Sequence, residues 1–128
     1  MSVKRLLVID DEEPFTRLLK LNLEETGRFT VHIETDGRKA IEAAHEFEPD
    51  LILLDVIMPD ADGGEIAATM RADTKLKNVP IVFLTAAVSQ QELEGPSGVI
   101  GGRLFVAKPV NKRALLALID AQLAGVPS

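Results

Sequence analysis

The chain has no cysteine among its 128 residues. Disulfide bonds, thiolate metal sites and a cysteine nucleophile are therefore excluded. A chain without cysteine fits a reducing compartment, so we expect the protein to act in the cytoplasm.

Basic residues and long apolar runs are also scarce. The 14 Lys and Arg residues are outnumbered by 20 Asp and Glu, which gives a net charge of −6. Binding a nucleic-acid backbone needs a basic face, and anchoring to an anionic membrane needs a polybasic segment. No apolar run approaches the roughly 20 residues that span a bilayer, and the four apolar residues at 6–9 are too few for a signal-peptide core. We therefore expect no direct contact with nucleic acid or membrane.

The composition that is present is that of a globular protein. Hydrophobic residues make up 46% and charged residues 27% of the chain. This balance and this length are typical of one domain with its own core. We expect residues 1–124 to form the domain and residues 125–128 to form a C-terminal tail.

Short apolar runs alternate with helical patterns along the chain. Continuous apolar runs predict strands buried on both faces of a parallel sheet. They lie at 6–9, 51–54, 81–84 and 104–107. Phe29, Val31 and Ile33 alternate with polar residues, which predicts an edge strand. Strands that alternate with helices indicate an α/β fold, with a parallel sheet and helices on both faces.

Each predicted helix has a start signal. Pro14 suits the first turn of a helix that ends at Gly27, while Asp36, Asp62 and Asn111 can cap the later helices. The residues expected on the inward faces are Phe15, Leu18, Leu19 and Leu23, then Ala40, Ile41, Ala44 and Phe47, then Ile66 and Met70, and finally Leu115, Leu118 and Ile119.

Polar residues follow the predicted strands where those strands end. Asp10 and Asp11 end the first run, Asp55 the next, Thr85 the next and Lys108 the last. Ligands of open α/β sheets bind beyond the carboxyl ends of the strands. We therefore expect three carboxylates, one hydroxyl and one ammonium group to meet at one edge of the sheet.

This set of groups suits phosphoryl chemistry. Crowded carboxylates raise one another's pKa or attract a cation, and Mg²⁺ commonly binds one or two carboxylates while it keeps waters. Lysine and threonine are partners for phosphate oxygens. A carboxylate beside a metal ion can act as the nucleophile toward phosphorus and form an aspartyl phosphate.

The chain resembles the response-regulator receiver domains of two-component signalling over nearly its whole length. Four segments carry the resemblance, in order: VIDDE at 8–12, LDVIMPDADG at 54–63, LTA at 84–86 and FVAKP at 105–109. The resemblance implies a flavodoxin-like, doubly wound sheet of five parallel strands in the order 2-1-3-4-5.

The resemblance also implies the ligands of a metal ion. Asp55 would be the phosphoacceptor. Asp10, Asp11 and Asp55 would hold Mg²⁺ together with the backbone carbonyl of Ile57, Asp11 directly and Asp10 mainly through water.

Further roles follow from the resemblance. Lys108 and Thr85 would contact the phosphoryl group, and Thr85 and Phe105 would form the conformational switch. The peptide bond between Lys108 and Pro109 would be cis.

The function implied is that of a signalling domain. A sensor histidine kinase, a phosphotransfer protein or a small acyl phosphate would donate the phosphoryl group. The altered surface would then act on a downstream protein or a fused domain. The domain would catalyse its own phosphorylation but turn over no metabolite. In the family, the positions two residues after the phosphoacceptor and after the switch threonine influence hydrolysis. Here they are Ile57 and Ala87, whose aliphatic side chains cannot orient a water, so we expect slow self-dephosphorylation.

The segment after Thr85 departs from the family pattern. Gly95 and Pro96 would stop a helix that begins near residue 89, and four glycines lie between 95 and 102. We therefore expect the fourth helix to be short or remodelled and followed by a mobile loop.

Two other functions remain open. A small phosphatase could use Asp10 or Asp11 as its nucleophile at the first strand end. That class usually has a second catalytic acid two residues later, and Glu12 or Glu13 at that position is an imperfect match. A docking module could keep this fold without phosphorylation. We expect Glu12 and Glu13 mainly to favour the first helical turn electrostatically.

Overall fold

The structure is a computed structural model that describes residues 3–86, 91, 95, 97–100 and 102–125. Within these residues, six strands form one sheet and two short strands form an antiparallel hairpin. The strands are β1 (Lys4–Ile9), β2 (Phe29–Glu34), β3 (Leu51–Asp55), β4 (Ile57–Met58), β5 (Ala61–Asp62), β6 (Ile81–Thr85), β7 (Ser97–Ile100) and β8 (Arg103–Ala107).

The order of the main sheet is β2-β1-β3-β6-β8-β7. Its first five strands are parallel, because β1 pairs in parallel with β2 and β3, and β6 pairs in parallel with β3 and β8. If the five parallel strands alone are numbered in chain order, β6 becomes the fourth and β8 the fifth. Their order in the sheet is then 2-1-3-4-5, as predicted. All five residues of β3 are buried, as the continuous apolar run predicts for a central strand, and β2 lies at the edge.

The helices are α1 (Glu13–Glu24), α2 (Ala40–Phe47), α3 (Gly63–Ala72) and α4 (Lys112–Leu123), with a 3₁₀ turn at Gly37–Lys39 before α2. The three predicted caps are confirmed. The side chains of Asp36, Asp62 and Asn111 accept hydrogen bonds from the backbone N–H groups two or three residues further on. Each cap satisfies one of the N–H groups that a helix start leaves without a partner.

Helices cover both faces of the sheet, as predicted. Leu6 and Val8 of β1 pack with α1 and α4 on one face, while Leu7 and Ile9 pack with α2 and α3 on the other. Successive strand residues point to opposite faces, so β1 contributes to both cores. Burial of one such leucine or isoleucine stabilises the fold by about 1.5–3 kcal/mol.

One residue of the predicted inward face of α1 is misplaced. The prediction that Leu18 faces inward is wrong, because Leu18 is 58% exposed, whereas Leu19 and Leu23 are buried. The apolar stripe of α1 is therefore wider than the face that the sheet covers.

A sixth, antiparallel strand was not foreseen. Strand β7 pairs with β8, with Val99 opposite Leu104 and Ile100 opposite Arg103. Gly102 has a φ of +76°, a left-handed conformation that suits the tight connection into β8. Sequence reasoning assigned this glycine-rich stretch to a loop, although Val99 and Ile100 are β-branched and suit a strand.

The expected short or remodelled fourth helix concerns residues 87–96, most of which lie outside the described residues, so that expectation stays a prediction. The loop expected after it is wrong at Ser97–Ile100, which form β7. Among the helices that the structure does describe, none has the length and apolar character needed to cross a membrane.

Candidate functional site

An open cleft lies at the carboxyl ends of the central strands. It has a volume of about 310 Å³. Its lining residues are Asp11, Glu12, Asp55, Ile57, Thr85, Ala86 and Lys108. Five predicted site residues are therefore brought together here, because β1, β3, β6 and β8 are parallel and end at the same edge.

Three carboxylates converge on the cleft. One oxygen from each of Asp10, Asp11 and Asp55 lies within 4.8 Å of the other two. Asp10 and Asp55 are buried, whereas Asp11 is exposed. The backbone N–H of Glu12 donates to Oδ1 of Asp10 at 2.9 Å. Oδ2 of Asp10 is buried and lies 2.7 Å from the ammonium nitrogen of Lys108.

This donor set fits a small divalent cation. Carboxylate oxygens are the ligands that Mg²⁺ takes in proteins, and one oxygen from each of Asp10, Asp11 and Asp55 lies close enough to the others to share one ion. The exposed side of Asp11 leaves room for the waters that Mg²⁺ retains. The expected role of the Ile57 carbonyl as a further ligand stays a prediction.

Lys108 supplies the positive charge of the cleft. Its Nζ lies 2.6 Å from Oε1 of Glu12, 2.7 Å from Oδ2 of Asp10 and 3.9 Å from Oδ2 of Asp55. The ammonium also lies 4.5 Å from the centre of the Phe15 ring. The bond between Lys108 and Pro109 is cis, which confirms the sequence-based expectation.

Burial and charge shift the pKa values of these groups. Burial, reinforced by the charge of Asp10, raises the pKa of Asp55 to about 7, while Lys108 acts in the opposite direction. Burial also raises the pKa of Asp10. Burial lowers the pKa of Lys108, but hydrogen bonds to Asp10 and Glu12 outweigh that effect and raise it overall. A large pKa shift such as that of Asp55 is typical of functional sites.

Gly63 packs tightly against the backbone of Asp55 and Val56. The Gly63 N–H donates to the carbonyl of Val56 at 2.9 Å. A Cβ atom on Gly63 would lie only 2.3 Å from the carbonyl oxygen of Asp55 and 2.8 Å from Cα of Val56. Only glycine fits here without moving the strand end, a requirement that sequence reasoning did not identify.

The two residues expected to form the switch lie on neighbouring strands. Thr85 is buried at the end of β6, and Phe105 of β8 stands opposite Phe83 of β6. The rings of Phe83 and Phe105 stack with their centroids 5.3 Å apart. The guanidinium of Arg103 lies 5.6 Å from the centre of the Phe83 ring. Phe83 thus connects the two strands, a contact that sequence reasoning missed because Phe83 was read only as part of an apolar run.

Glu12 is a further cleft residue with a role other than the expected one. It was expected to favour the first helical turn, yet its carboxylate contacts Lys108 instead. The neighbouring Glu13 lies in the first turn of α1 and pairs with Arg17 at 2.6 Å. These adjacent acids therefore differ in their partners. Glu13 pairs within its own helix, whereas Glu12 contacts a residue 96 positions further along the chain.

The chain matches a known protein family over most of its length. The family model described as the response regulator receiver domain matches residues 6–120. That range includes every residue of the candidate site.

Several solved structures are similar over nearly the whole chain. A putative response regulator from Chloroflexus aurantiacus J-10-fl is 26% identical, with a TM-score of 0.80, covering 96% of this chain and 99% of that one. The chemotaxis protein CheY4 of Vibrio cholerae is 28% identical, with a TM-score of 0.77, covering 93% and 98%. The receiver domain of the sensor histidine kinase PA1611 from Pseudomonas aeruginosa PAO1 is 23% identical, with a TM-score of 0.77, covering 96% and 99%. That last structure has a magnesium ion coordinated in its active-site cleft.

Proposed function

Because the chain belongs to the response regulator receiver domain family, we propose that Asp55 accepts a phosphoryl group and that this modification switches the output surface. The observation that carries the proposal is the cleft itself. A buried carboxylate faces an ammonium group at 3.9 Å, and two further carboxylates lie within 4.8 Å of it.

The transfer is a displacement at phosphorus. A carboxylate oxygen of Asp55 attacks the phosphorus atom and forms a new O–P bond. The bond to the donor breaks at the same time, and its electron pair leaves with the imidazole nitrogen of a phosphohistidine or the carboxylate oxygen of an acyl phosphate. Aspartyl phosphates form in this way wherever a carboxylate is the nucleophile.

Mg²⁺ is the cofactor that the proposal requires. Asp10, Asp11, Asp55 and the carbonyl of Ile57 would hold it. When bound, it supplies positive charge that neutralises the acids and the phosphoryl oxygens. The magnesium ion in the similar receiver domain of PA1611 and the cluster of three carboxylate oxygens in this chain support this assignment.

Lys108 and Thr85 would hold the transferred group. The Lys108 ammonium stands at the end of β8 and the Thr85 hydroxyl at the end of β6, on the same cleft as Asp55. Charge-assisted hydrogen bonds to phosphoryl oxygens are stronger than neutral ones. Thr85 would move toward the new dianion and Phe105 would follow, which changes the surface beyond β8.

The partners would be proteins that act before and after this domain in the signalling process. A sensor histidine kinase or a phosphotransfer protein would donate the phosphoryl group, and a downstream protein or a fused domain would respond.

Leu18 and Leu21 on α1 are 58% and 64% exposed. Leu18 borders an apolar groove of about 170 Å³ that also includes Phe15, whose ring contacts Lys108. This groove next to the cleft suits a helix that brings a phosphohistidine to Asp55.

The phosphorylated form should lose its group slowly. Ile57 lines the cleft and is 67% exposed, and its side chain can neither donate nor accept a hydrogen bond. The second position expected to influence hydrolysis, Ala87, lies outside the described residues.

We propose a cytoplasmic location, in keeping with the absence of cysteine.

Titration with beryllofluoride and Mg²⁺ tests the proposal, since beryllofluoride stands in for the phosphoryl group on an aspartate. Amide resonances of Asp10, Asp11 and Asp55 should shift first, together with those of Thr85 and Phe105. In Asp55→Asn, beryllofluoride added at a constant Mg²⁺ concentration should leave all of them unchanged. An unchanged spectrum of the parent protein would favour a docking module that needs no phosphorylation.

A further inference from the structure

Glu12 and Lys108 form a close ion pair at the rim of the cleft. The Nζ–Oε1 distance is 2.6 Å, against 3.9 Å from the same nitrogen to Asp55. The side chain of Glu12 is 58% exposed and that of Lys108 only 10%. The ammonium is therefore enclosed, while the carboxylate that contacts it from outside is solvated.

The ammonium of Lys108 has three N–H groups, and its two close contacts hold it away from Asp55, at 3.9 Å. These contacts are with Asp10 at 2.7 Å and Glu12 at 2.6 Å. Asp10 is fully buried at the end of β1, so it cannot withdraw without disturbing the sheet. Glu12 precedes α1 and has an exposed side chain, so it can release the ammonium by a change of rotamer.

We infer that Glu12 is a positioning residue that holds Lys108 at the rim of the cleft and competes with the phosphoryl group of Asp55 for its ammonium. This inference rests on the proposed function and deepens it, because it adds a built-in opponent of phosphorylation. The competition ends when the dianion on Asp55 attracts the ammonium more strongly than the solvated carboxylate does.

A purely local role for Glu12 does not account for its contacts. Glu12 occupies the N-cap position of α1, yet its side chain makes no capping hydrogen bond. The first turn of α1 has its own acid, Glu13, which pairs with Arg17. The side chain of Glu12 is directed instead to a residue 96 positions away.

The chain offers a matched set of variants. Glu12→Gln removes the charge and Glu12→Asp keeps it, but aspartate is one methylene shorter and cannot keep the 2.6 Å contact in the same backbone position. Glu13→Gln removes one negative charge from the adjacent residue, outside the cleft. Beryllofluoride affinity is measured for each variant by amide titration at a fixed, saturating Mg²⁺ concentration.

Both Glu12 variants should bind beryllofluoride more tightly than the parent, by about two- to five-fold, the range that a half-exposed ion pair supports. Glu13→Gln should stay within about two-fold of the parent. If Glu12→Asp behaves like the parent, the effect is one of charge alone and the inference is wrong. It is also wrong if Glu12→Gln matches Glu13→Gln.

A second readout needs neither Mg²⁺ nor beryllofluoride. The ¹⁵N resonance of the Lys108 ammonium should shift in Glu12→Gln and in Glu12→Asp and stay in place in Glu13→Gln. Unmoved resonances in all three would overturn the inference. If the parent binds beryllofluoride and Asp55→Asn does not, the proposed function survives that failure. If the parent does not bind it, both fall.

Discussion

The Nζ atom of Lys108 stands 3.9 Å from Oδ2 of Asp55, beyond hydrogen-bond distance but within ion-pair distance. The two side chains enter the cleft from β8 and β3, which are separated in the sheet by β6. A phosphoryl group on Asp55 would bring its oxygens into the space between them.

Lys108→Met should slow the phosphorylation of Asp55 by a small acyl phosphate at least about ten-fold, since one positioned charge at a reacting oxygen commonly contributes more than that. The rate is measured by intact mass over time, with Mg²⁺ present. Lys112→Met is the control, because Lys112 is half-exposed on α4 and only 3.8 Å from Glu25. Equal rates for the two variants would contradict the role given to Lys108.

Asp55→Asn should stabilise the protein without divalent ions, and the gain should depend on pH. The pKa of Asp55 is about 7 in the folded state, against 3.8 as the ordinary value. Between these values the folded state keeps a proton that the unfolded state has released, so parental stability falls as pH rises. The variant lacks this loss. Its advantage should be near zero at pH 3, grow through pH 4–7, and level off at no more than ~4 kcal/mol.

Urea unfolding with a chelator at pH 3, 5 and 8 measures this difference. Added Mg²⁺ should reduce the gain at pH 8, because a cation favours the carboxylate of the parent. A gain that is the same at all three pH values would show that Asp55 does not titrate in this range.

Gly63→Ala should destabilise the protein by about 1–3 kcal/mol, the usual cost of forcing an extra carbon into a packed site. The new Cβ would meet backbone atoms of Asp55 and Val56, which cannot rotate away. Gly64→Ala is the control, because its Cβ would meet only the side chains of Asp62 and Arg103, at 3.2 and 3.4 Å. Similar midpoints for the two variants in urea unfolding would mean that the close approach of Gly63 is not required.

Thr85→Ala should uncouple the ring of Phe105 from the cleft, whereas Thr85→Ser, which keeps the hydroxyl, should not. With beryllofluoride and Mg²⁺, the aromatic resonances of Phe105 should shift in the parent and in Thr85→Ser. Those of Phe83 should shift with them, since the two rings stack. If Thr85→Ala still binds beryllofluoride and shows the same aromatic shifts, Thr85 does not connect the site to the switch.

Ile57→Asn should shorten the lifetime of the phosphorylated form several-fold, because an amide at this exposed position can orient a water toward phosphorus. Ile57→Leu keeps the apolar character and should retain the parental lifetime. Phosphate release after removal of the donor gives both rates. A parental half-life of seconds, or no change in Ile57→Asn, would contradict the proposal of slow hydrolysis.

The placement of the cleft residues could be predicted because it depends on backbone topology. Asp10, Asp55, Thr85 and Lys108 each end or follow a strand that the apolar runs mark clearly, and parallel strands end at a common edge. The three capping residues were predictable for a similar reason, since capping is a local interaction.

The features that sequence reasoning missed depend on side-chain choices or on weak local signals. The rotamer of Glu12, not its position, decides whether it contacts α1 or Lys108. Strand β7 is short and contains Gly98, so its strand propensity is low, and its pairing with β8 stabilises it instead. Leu18 continues an apolar stripe beyond the width of the sheet that covers it.

Intact-mass spectrometry tests the central claim most directly. The parent and Asp55→Asn are each incubated with acetyl phosphate, once with Mg²⁺ and once with a chelator. We predict the mass of one added phosphoryl group in the parent with Mg²⁺ and in none of the other three samples. A parent that gains no phosphoryl mass, or an Asp55→Asn variant that gains as much as the parent, would contradict the account.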